Sequence, residues 1–495
     1  LYPLSLVPAH WFGLDWYRWM LRLNCAYSSA VVFPLWGLAR TFLPRRESGV
    51  ALLLAGLLPW HVVFPRLVMS ENLFLPLFLT ACYLLLTPLG QHHSARGYLA
   101  TGVVLGLAHL ARHIALVVVP LLVACWWVQH WYARQSTFRG LWAPQRLKQL
   151  GLLIAGYGVV YGPWLLYATT HGRTAWQAMT ASAWIAVGTP RGGVVPDYGR
   201  WLLLGALYLV LMAGPFLFGL MASARYGWRR MGALGFLAAS LTVVTLCLAG
   251  FSTLQDAWLS GAPVEQAALS GRFVEYACPL LPILWLATGR RLSAHAWARG
   301  QVWRMATSAL LLFLVSYAIL VHGWMLGVGP GFAQGFGATM VAPYAYGGWR
   351  AGLPVLIAGG AAILLQAAAW GTRKPALAFP ALCVLLAFGA LCDRQAARLV
   401  ADMATGMAPG RALATVLTQT DAGACDDGAR VWYDADAATG DGWVQCALFW
   451  GAPFDYAPEL PAEAATPAGR LTAAQLAPLQ PLPDCGLWLT TSRHS

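Results

Sequence analysis

Residues 97–131, "GYLATGVVLGLAHLARHIALVVVPLLVACWWVQHW", form two apolar runs separated by Arg112 and His113. Apolar runs of this kind are typical of membrane-spanning helices, because the hydrocarbon core of a bilayer is about 30 Å thick. The runs 97–111 and 114–131 therefore predict two helices joined by a tight turn that carries Arg112.

The composition of the whole chain also indicates a lipid environment. Of its 495 residues, 59% are hydrophobic and only 10% are charged, whereas soluble domains have about 25% charged residues. So few charges cannot cover a water-soluble fold. Apolar runs predict about 12 transmembrane helices in an all-α polytopic membrane protein. They lie near 18–42, 49–65, 72–88, 97–111, 114–131, 150–170, 201–222, 232–252, 273–289, 305–325, 351–371 and 376–392.

The C-terminal part of the chain has a different composition. Residues 393–495 contain 12 of the 19 acidic residues and no run long enough to span a bilayer. The short segments "RVWYDAD" and "WVQCALFW" have the β-branched and aromatic residues that strands favour. We therefore predict a transmembrane domain over 1–392 and a small α/β or α+β domain over 393–495.

The positions of the basic residues predict the orientation in the membrane. Of the 26 Lys and Arg in residues 1–392, 17 lie in alternate connecting segments or beside them. By the positive-inside rule these segments are cytoplasmic. The C-terminal domain and the two long loops, 171–200 and 326–350, are then extracytoplasmic. Topology thus explains the net charge of +13, and we expect no nucleic-acid partner.

The cysteines divide in the same way. Six of the ten lie inside the apolar runs, and the other four, beginning with the last residue of the run 376–392, are predicted outside, in an oxidising compartment. We expect at least one disulfide among these four, with a pairing that the sequence does not determine. The four are Cys392, Cys425, Cys446 and Cys485.

Candidate site residues lie at three predicted outer helix ends. Arg66, Ser70 and Glu71 lie in "FPRLVMSENLFLPLFL", Arg112 and His113 in the turn described above, and Arg272 in "GRFVEYACPLLP". Each cluster has a structural explanation. Glu71 could complement the helix dipole and pair with Arg66, Arg112 could extend to the membrane surface, and Arg272 could pair with Glu275.

The functional alternative is that the three arginines bind one anion together. The guanidinium group has a planar fork of donors that matches phosphate oxygens. Under this hypothesis the outer helix ends form a phosphate or pyrophosphate site.

Four segments in series resemble the bacterial GT-C glycosyltransferases, the relatives of protein O-mannosyltransferases and of the aminoarabinose transferase that acts on lipid A. They cover about residues 1–290. The segments are "LYPLSLVPAHWFG", "LLPWHVVFPRLVMSENLFLPLFL", "LGLAHLARHIALVVVP" and "GRFVEYACPLLP".

The resemblance implies a GT-C-like helical bundle and an activity. The enzyme would transfer a sugar, with inversion, from a polyprenyl-phosphate-linked donor to a lipid, glycan or protein acceptor. The reaction would take place at the outer face of a bacterial cytoplasmic membrane. The donor pocket would be lined by Arg66, Ser70, Glu71, Arg112, His113 and Arg272. No cofactor is implied, and a divalent metal has no support because the acidic residues do not cluster.

The resemblance also implies where the catalytic base lies. In the family an acidic residue in the first extracytoplasmic loop precedes the "LYP" run, and this chain begins at that run. We therefore expect the base upstream of Leu1 and an N-terminally truncated, inactive chain. Asp15 follows the run, so the role does not transfer to it.

Two other function classes remain open. A polytopic transporter or lipid flippase would also have arginines and glutamates at the membrane, although we find no internal repeat and the outside loops are long. A receptor or scaffold would leave the outer arginines unexplained.

Overall fold

A computed structural model describes most of the membrane part of the chain and three strands beyond it. The described residues are 2–58, 61, 64–66, 69–86, 95–134, 143–180, 194–226, 241–245, 247, 271–293, 299–322, 349–372, 375–406, 430–433, 454–456 and 486–489.

The chain forms two compact units, Leu1–Leu399 and Val400–Ser495. The α-helices of the first unit are α1 (Tyr2–Leu6), α2 (Trp16–Ser29), α3 (Val32–Phe42), α4 (Arg45–Gly56), α5 (Glu71–Leu86), α6 (Ala95–Ala111), α7 (Ala115–Arg134), α8 (Pro144–Thr170), α9 (Ala175–Thr180), α10 (Val194–Ala213), α11 (Leu217–Tyr226), α12 (Leu281–Ser293), α13 (Arg299–His322), α14 (Trp349–Thr372) and α15 (Ala378–Gly406). The 3-10 helices are Val7–Asp15, Phe64–Arg66, Gly214–Phe216, Gly271–Leu280 and Pro375–Leu377.

The second unit contains a small sheet. Strands β1 (Arg430–Tyr433), β2 (Phe454–Tyr456) and β3 (Gly486–Leu489) pair in parallel in the order β2-β1-β3. Strand β1 lies in the segment "RVWYDAD", and "WVQCALFW" lies outside the described residues. The predicted boundary at residue 393 falls inside α15, and the type of the C-terminal domain stays a prediction.

Helical structure follows from the apolar composition, since in lipid each backbone amide and carbonyl must find its partner within the chain. Four described helices are long and apolar enough to cross a membrane, within α8, α13, α14 and α15. The number becomes five if α10 and α11, which are bent by 85°, form one broken span. The protein is thus a multi-pass helical membrane protein, while the count of 12 stays a prediction.

The outer surface of α8 is consistent with lipid contact. Its exposed side chains include Ile154, Val159 and Leu166. Large apolar side chains exposed in a row would be unfavourable in water, but they match the acyl chains of a bilayer.

At least two predicted spans are each divided between two α-helices in the described residues. The run 18–42 is divided into α2 and α3, and α2 contains Arg18 and Arg22 with polar residues around them. The run 201–222 is divided where Gly214, at φ 43°, and Pro215 interrupt the helix. The prediction of a continuous helix was wrong at both places, because the mean hydropathy of a stretch of residues does not detect a local break in the helix.

Gln366 of α14 stabilises the second break. Its Nε2 donates a hydrogen bond to Pro215 O at 2.9 Å, and its Oε1 accepts one from Trp285 Nε1 at 2.7 Å. The carbonyl of a residue at a helix break needs such a partner when it is buried.

Helices α6 and α8 pack with their backbones in close contact. A Cβ on Gly102 would lie 3.0 Å from Gly156 Cα, and a Cβ on Gly106 would lie 2.9 Å from Val160 Cβ. Small residues spaced four apart allow this kind of approach between membrane helices. The crossing places the C-terminal half of α8 beside the end of α6 that leads to Arg112.

Cys392 is removed from the set of four cysteines that could form the predicted disulfide. This residue is buried in α15 and its thiol is free. Cys425, Cys446 and Cys485 lie outside the described residues, so the disulfide stays a prediction for them.

Candidate functional site

A buried ion pair joins Arg112 and Glu71. Arg112 Nη1 lies 2.5 Å from Glu71 Oε2, and the side chains are 12% and 1% exposed, respectively. Glu71 is the first residue of α5, and Arg112 follows the last residue of α6. Because the two helices are connected in sequence and pack together, the start of one and the end of the other meet at the same end of the bundle.

Ser70 completes the contact with Arg112. Arg112 Nη1 donates a hydrogen bond to Ser70 Oγ at 3.0 Å. Ser70 precedes α5, and its carbonyl accepts a hydrogen bond from Phe74 N–H at 2.9 Å. Ser70 therefore accepts a hydrogen bond from the first turn of α5 through its carbonyl oxygen and one from the Arg112 guanidinium through its hydroxyl oxygen.

The turn after α6 holds Arg112 in place. The backbone N–H of Arg112 lies 3.0 Å from Ala108 O and 3.1 Å from His109 O, so the helical hydrogen bonding extends to this residue. His113 follows with an exposed side chain. The structure does not bring His113 into the Arg112–Glu71 pair.

The 3-10 helix Gly271–Leu280 contributes an aromatic side chain to the site. Tyr276 is buried, and the guanidinium carbon of Arg112 lies 5.8 Å from its ring centroid. Phe74 meets the same ring edge to face, at 5.2 Å between centroids. The segment that begins with Arg272 is thus brought to the Arg112–Glu71 pair. A cation above an aromatic face is stabilised by the ring quadrupole.

Asn72 connects the segment of Arg66 to the same site. Its Nδ2 donates hydrogen bonds to Phe64 O at 2.8 Å and to Met69 O at 3.1 Å, and the side chain is 2% exposed. The 3-10 helix Phe64–Arg66 is therefore fastened to the start of α5. The side chains of Arg66 and Arg272 lie outside the described part of the structure.

Glu71 pairs with Arg112, whose guanidinium is largely buried rather than extended to the membrane surface. Glu71 thus has Arg112 as a partner, and its predicted pairing with Arg66 concerns a side chain outside the described residues. The alternative pair of Arg272 with Glu275 lies outside the described side chains.

The Glu71 carboxylate has capacity for a ligand. Oε1 is buried and accepts no hydrogen bond from the described residues. A buried acceptor without a donor is rare in proteins and costly. A hydroxyl or a water molecule at this position would satisfy it, which marks the end of the Arg112–Glu71 pair as a place for a polar group.

An apolar cavity of about 510 Å³ begins close to the Arg112 turn. Ala115 and Leu116, at the start of α7, are among its lining residues, and the wall comes from α6, α7 and α8. The other lining residues are Leu105, Val119, Pro120, Val123, Ala124, Trp127, Leu150, Leu153, Ile154 and Tyr157. The site thus combines charged groups at a helix end with an apolar space beside them.

Sequence reasoning missed Asn72 and His109. Asn72 was visible only as one more residue at a helix start. His109 is buried on α6 one turn before Arg112, and a single histidine in an apolar run is ordinarily a packing residue. The spacing of Gly102 and Gly106 was the available signal, because it indicates a close neighbour for this helix.

Comparisons with known proteins agree with the resemblance predicted from the sequence. The family model for dolichyl-phosphate-mannose-protein mannosyltransferases matches residues 17–155, which include Ser70, Glu71 and Arg112. No curated protein matches the chain significantly.

Two solved structures of ArnT from Cupriavidus metallidurans share the fold. The one bound to undecaprenyl phosphate has a TM-score of 0.54, and the apo form has 0.52. In both cases the identity is 15%, over 96% of this chain and 76% of ArnT. The predicted resemblance to GT-C membrane glycosyltransferases is therefore confirmed, by the sequence match over 17–155 and by the fold of nearly the whole chain.

Proposed function

We propose that the protein transfers a sugar from a polyprenyl-phosphate-linked donor to an acceptor at the outer face of a bacterial cytoplasmic membrane. The observation that carries the proposal is the buried Arg112–Glu71 pair, where the start of α5 and the end of α6 meet the 3-10 helix Gly271–Leu280. The match to a lipid-phosphate-dependent mannosyltransferase family and the fold shared with an undecaprenyl-phosphate-binding protein support it.

The donor phosphate lies beside Arg112 in this proposal. Glu71 and Ser70 orient the guanidinium from one side, and the Tyr276 ring supports it from another. Arg66, Arg272 and His113 complete the pocket, as the resemblance implies. Several arginines around one phosphate compensate its charge in a site with little water.

The apolar cavity is suited to the lipid part of such a donor. It starts three residues after Arg112, at Ala115, and its described walls are almost entirely apolar. A polyprenyl chain in this space would place its phosphate end near the turn. Burial of the chain is favourable because each buried CH₂ contributes about 0.8 kcal/mol.

The reaction is a direct displacement at the anomeric carbon with inversion. The acceptor hydroxyl oxygen forms a bond to this carbon, and the bond between the carbon and the phosphate oxygen breaks. The electron pair of the broken bond stays on the polyprenyl phosphate, where Arg112 stabilises the developing charge. The hydroxyl proton goes to a carboxylate base, as the family resemblance implies. Glu71 is engaged with Arg112, and we assign it to orienting this group.

The experiment compares Arg112→Lys with Arg173→Lys in the full-length protein. Lysine keeps the charge at residue 112, so the buried Glu71 retains a partner, but the planar fork of donors is lost. Arg173 is an exposed arginine in the predicted outer loop and serves as the matched control. Undecaprenyl phosphate is titrated against the purified protein, and its release from labelled undecaprenyl-phosphate sugars is followed.

We expect Arg112→Lys to weaken undecaprenyl phosphate binding about tenfold, in line with the loss of one charge-assisted hydrogen bond. Arg173→Lys should bind like the unmodified protein. The proposal fails if undecaprenyl phosphate does not bind, or if both variants bind equally. Movement of a labelled polyprenyl phosphate across vesicles without sugar transfer would favour a flippase instead.

A further inference from the structure

His109 has a full set of partners in the interior of the protein. Its side chain is 2% exposed, and its ring stacks on Tyr161 with 4.2 Å between centroids and 13° between planes. Nδ1 is hydrogen-bonded to the Tyr157 hydroxyl, and Nε2 lies 3.3 Å from Met179 O. Each ring nitrogen therefore has one partner of its own.

These partners determine the tautomer of a neutral imidazole. A carbonyl oxygen only accepts hydrogen bonds, so Nε2 must carry the proton and donate it to Met179 O. Nδ1 is then the acceptor, and the Tyr157 hydroxyl donates to it. The hydrogen bonds at the two ring nitrogens hold the imidazole in one orientation, as they do for histidines at functional sites.

The carbonyl that His109 contacts belongs to α9, a helix of six residues just beyond the end of α8. A helix this short is unstable by itself, because few of its backbone groups can pair internally. Ala178 N–H donates to Thr174 O at 2.9 Å, and Ala178 O accepts a hydrogen bond from Tyr161 OH at 3.2 Å. The bonds from His109 and Tyr161 thus attach α9 to α6 and α8.

The attachment lies one helical turn from the candidate phosphate site. His109 and Arg112 are three residues apart, so their side chains are neighbours along α6. The backbone also joins them, since Arg112 N–H lies 3.1 Å from His109 O. A shift of α9 would change the packing around His109, three residues before Arg112.

We propose that His109 is a positioning residue that, as the Nε2–H tautomer, holds α9 at the end of α6 next to Arg112. Its effect on sugar transfer rests on the function proposed above. His109 itself takes no part in the chemical step; it keeps the outer segment Ala175–Thr180 in the arrangement that donor binding requires.

Two amide variants distinguish the contribution of Nε2 from that of Nδ1. The side-chain amide of glutamine reaches the position of Nε2, and that of asparagine reaches the position of Nδ1. His109→Gln can therefore still donate to Met179 O, whereas His109→Asn can replace only the bond with Tyr157. A residue needed only to fill space would not distinguish the two.

Hydrogen–deuterium exchange of residues 175–180 measures the attachment in the full-length protein. We expect exchange about fivefold faster in His109→Asn, as for the loss of one hydrogen bond, and a change of less than about twofold in His109→Gln. Equal exchange in the two variants would overturn the proposal. If His109→Asn does not fold, His109→Phe, which keeps the ring stack on Tyr161, takes its place with the same expectation.

The kinetics of sugar transfer from the donor provide a second test of the proposal. In His109→Asn we expect the KM for an undecaprenyl-phosphate sugar to rise about fivefold with kcat changed much less, and His109→Gln should restore the KM. Faster exchange with an unchanged KM would overturn the link to the donor site. If the unmodified protein neither binds undecaprenyl phosphate nor transfers sugar, the proposed function fails, and the exchange comparison still decides whether His109 holds α9.

Discussion

Gly102 of α6 and Gly156 of α8 face each other so closely that a Cβ on Gly156 would lie 3.1 Å from the Cα of Gly102. The contact is between backbones, which cannot move aside as a flexible side chain can. It brings Tyr157 and Tyr161 of α8 into reach of His109, three residues before Arg112.

The first prediction concerns this crossing. Gly156→Ala should destabilise the protein by about 1–3 kcal/mol, because the added methyl group overpacks the interface. Gly151→Ala is the matched control on the same helix, where a Cβ meets nothing within 4 Å. That variant should be neutral or slightly stabilising, since alanine favours helices more than glycine does. Thermal unfolding in detergent measures both, and equal melting temperatures would contradict the prediction.

The helical hairpin shows how far the sequence predicts the fold. The predicted helices 97–111 and 114–131 correspond to α6, Ala95–Ala111, and α7, Ala115–Arg134, with Arg112 in the turn. A long apolar run ended by a charge is a local signal, and such signals define helices well. The same reasoning failed between α10 and α11, where Gly214 and Pro215 interrupt the helix and the freed carbonyl is bound by Gln366, 151 residues away from Pro215 in the sequence.

The sequence indicated which residues belong to the candidate site, but not which of them form an ion pair. Glu71 and Arg112 were both singled out because charges are rare in the apolar part of the chain. Nearness in sequence suggested Arg66 as the partner of Glu71, whereas the packing of α5 against α6 supplies Arg112. Pairing between segments is a tertiary property, and a single sequence contains no direct signal for it.

The second prediction concerns orientation in the membrane. Reporter fusions near residues 140, 228 and 297 should be cytoplasmic, because these segments carry most of the clustered basic residues. Fusions near 190, 340 and 450 should be extracytoplasmic. A cytoplasmic reporter at 450 would contradict the entire assignment, since the alternation of the loops links every segment to the C-terminal tail.

The third prediction concerns Asn72. Asn72→Asp keeps the shape of the side chain but replaces the donor Nδ2 with an oxygen, so the bonds to Phe64 O and Met69 O are lost. Carboxylate and carbonyl oxygens would then face each other in a buried position, and we expect a loss of stability of about 2–3 kcal/mol. The segment Phe64–Arg66 should become more sensitive to proteases in the variant. Unchanged stability together with an unchanged cleavage pattern would show that Asn72 does not fasten this segment.

The fourth prediction concerns the buried pair itself. Either Glu71→Gln or Arg112→Gln leaves one buried charge without its partner, which costs about 3–5 kcal/mol. The double variant removes both charges and keeps two side chains that can hydrogen-bond to each other. Its loss of stability should therefore be smaller than the sum of the two single losses by at least about 1 kcal/mol.

This cycle separates stability from function at the site. All four proteins are compared by thermal unfolding and by titration with undecaprenyl phosphate. The double variant should regain much of the stability and none of the affinity, because the guanidinium that we assign to the phosphate is absent. Additive losses would mean that the pair contributes no coupling, and a double variant with full affinity would remove Arg112 from the donor site.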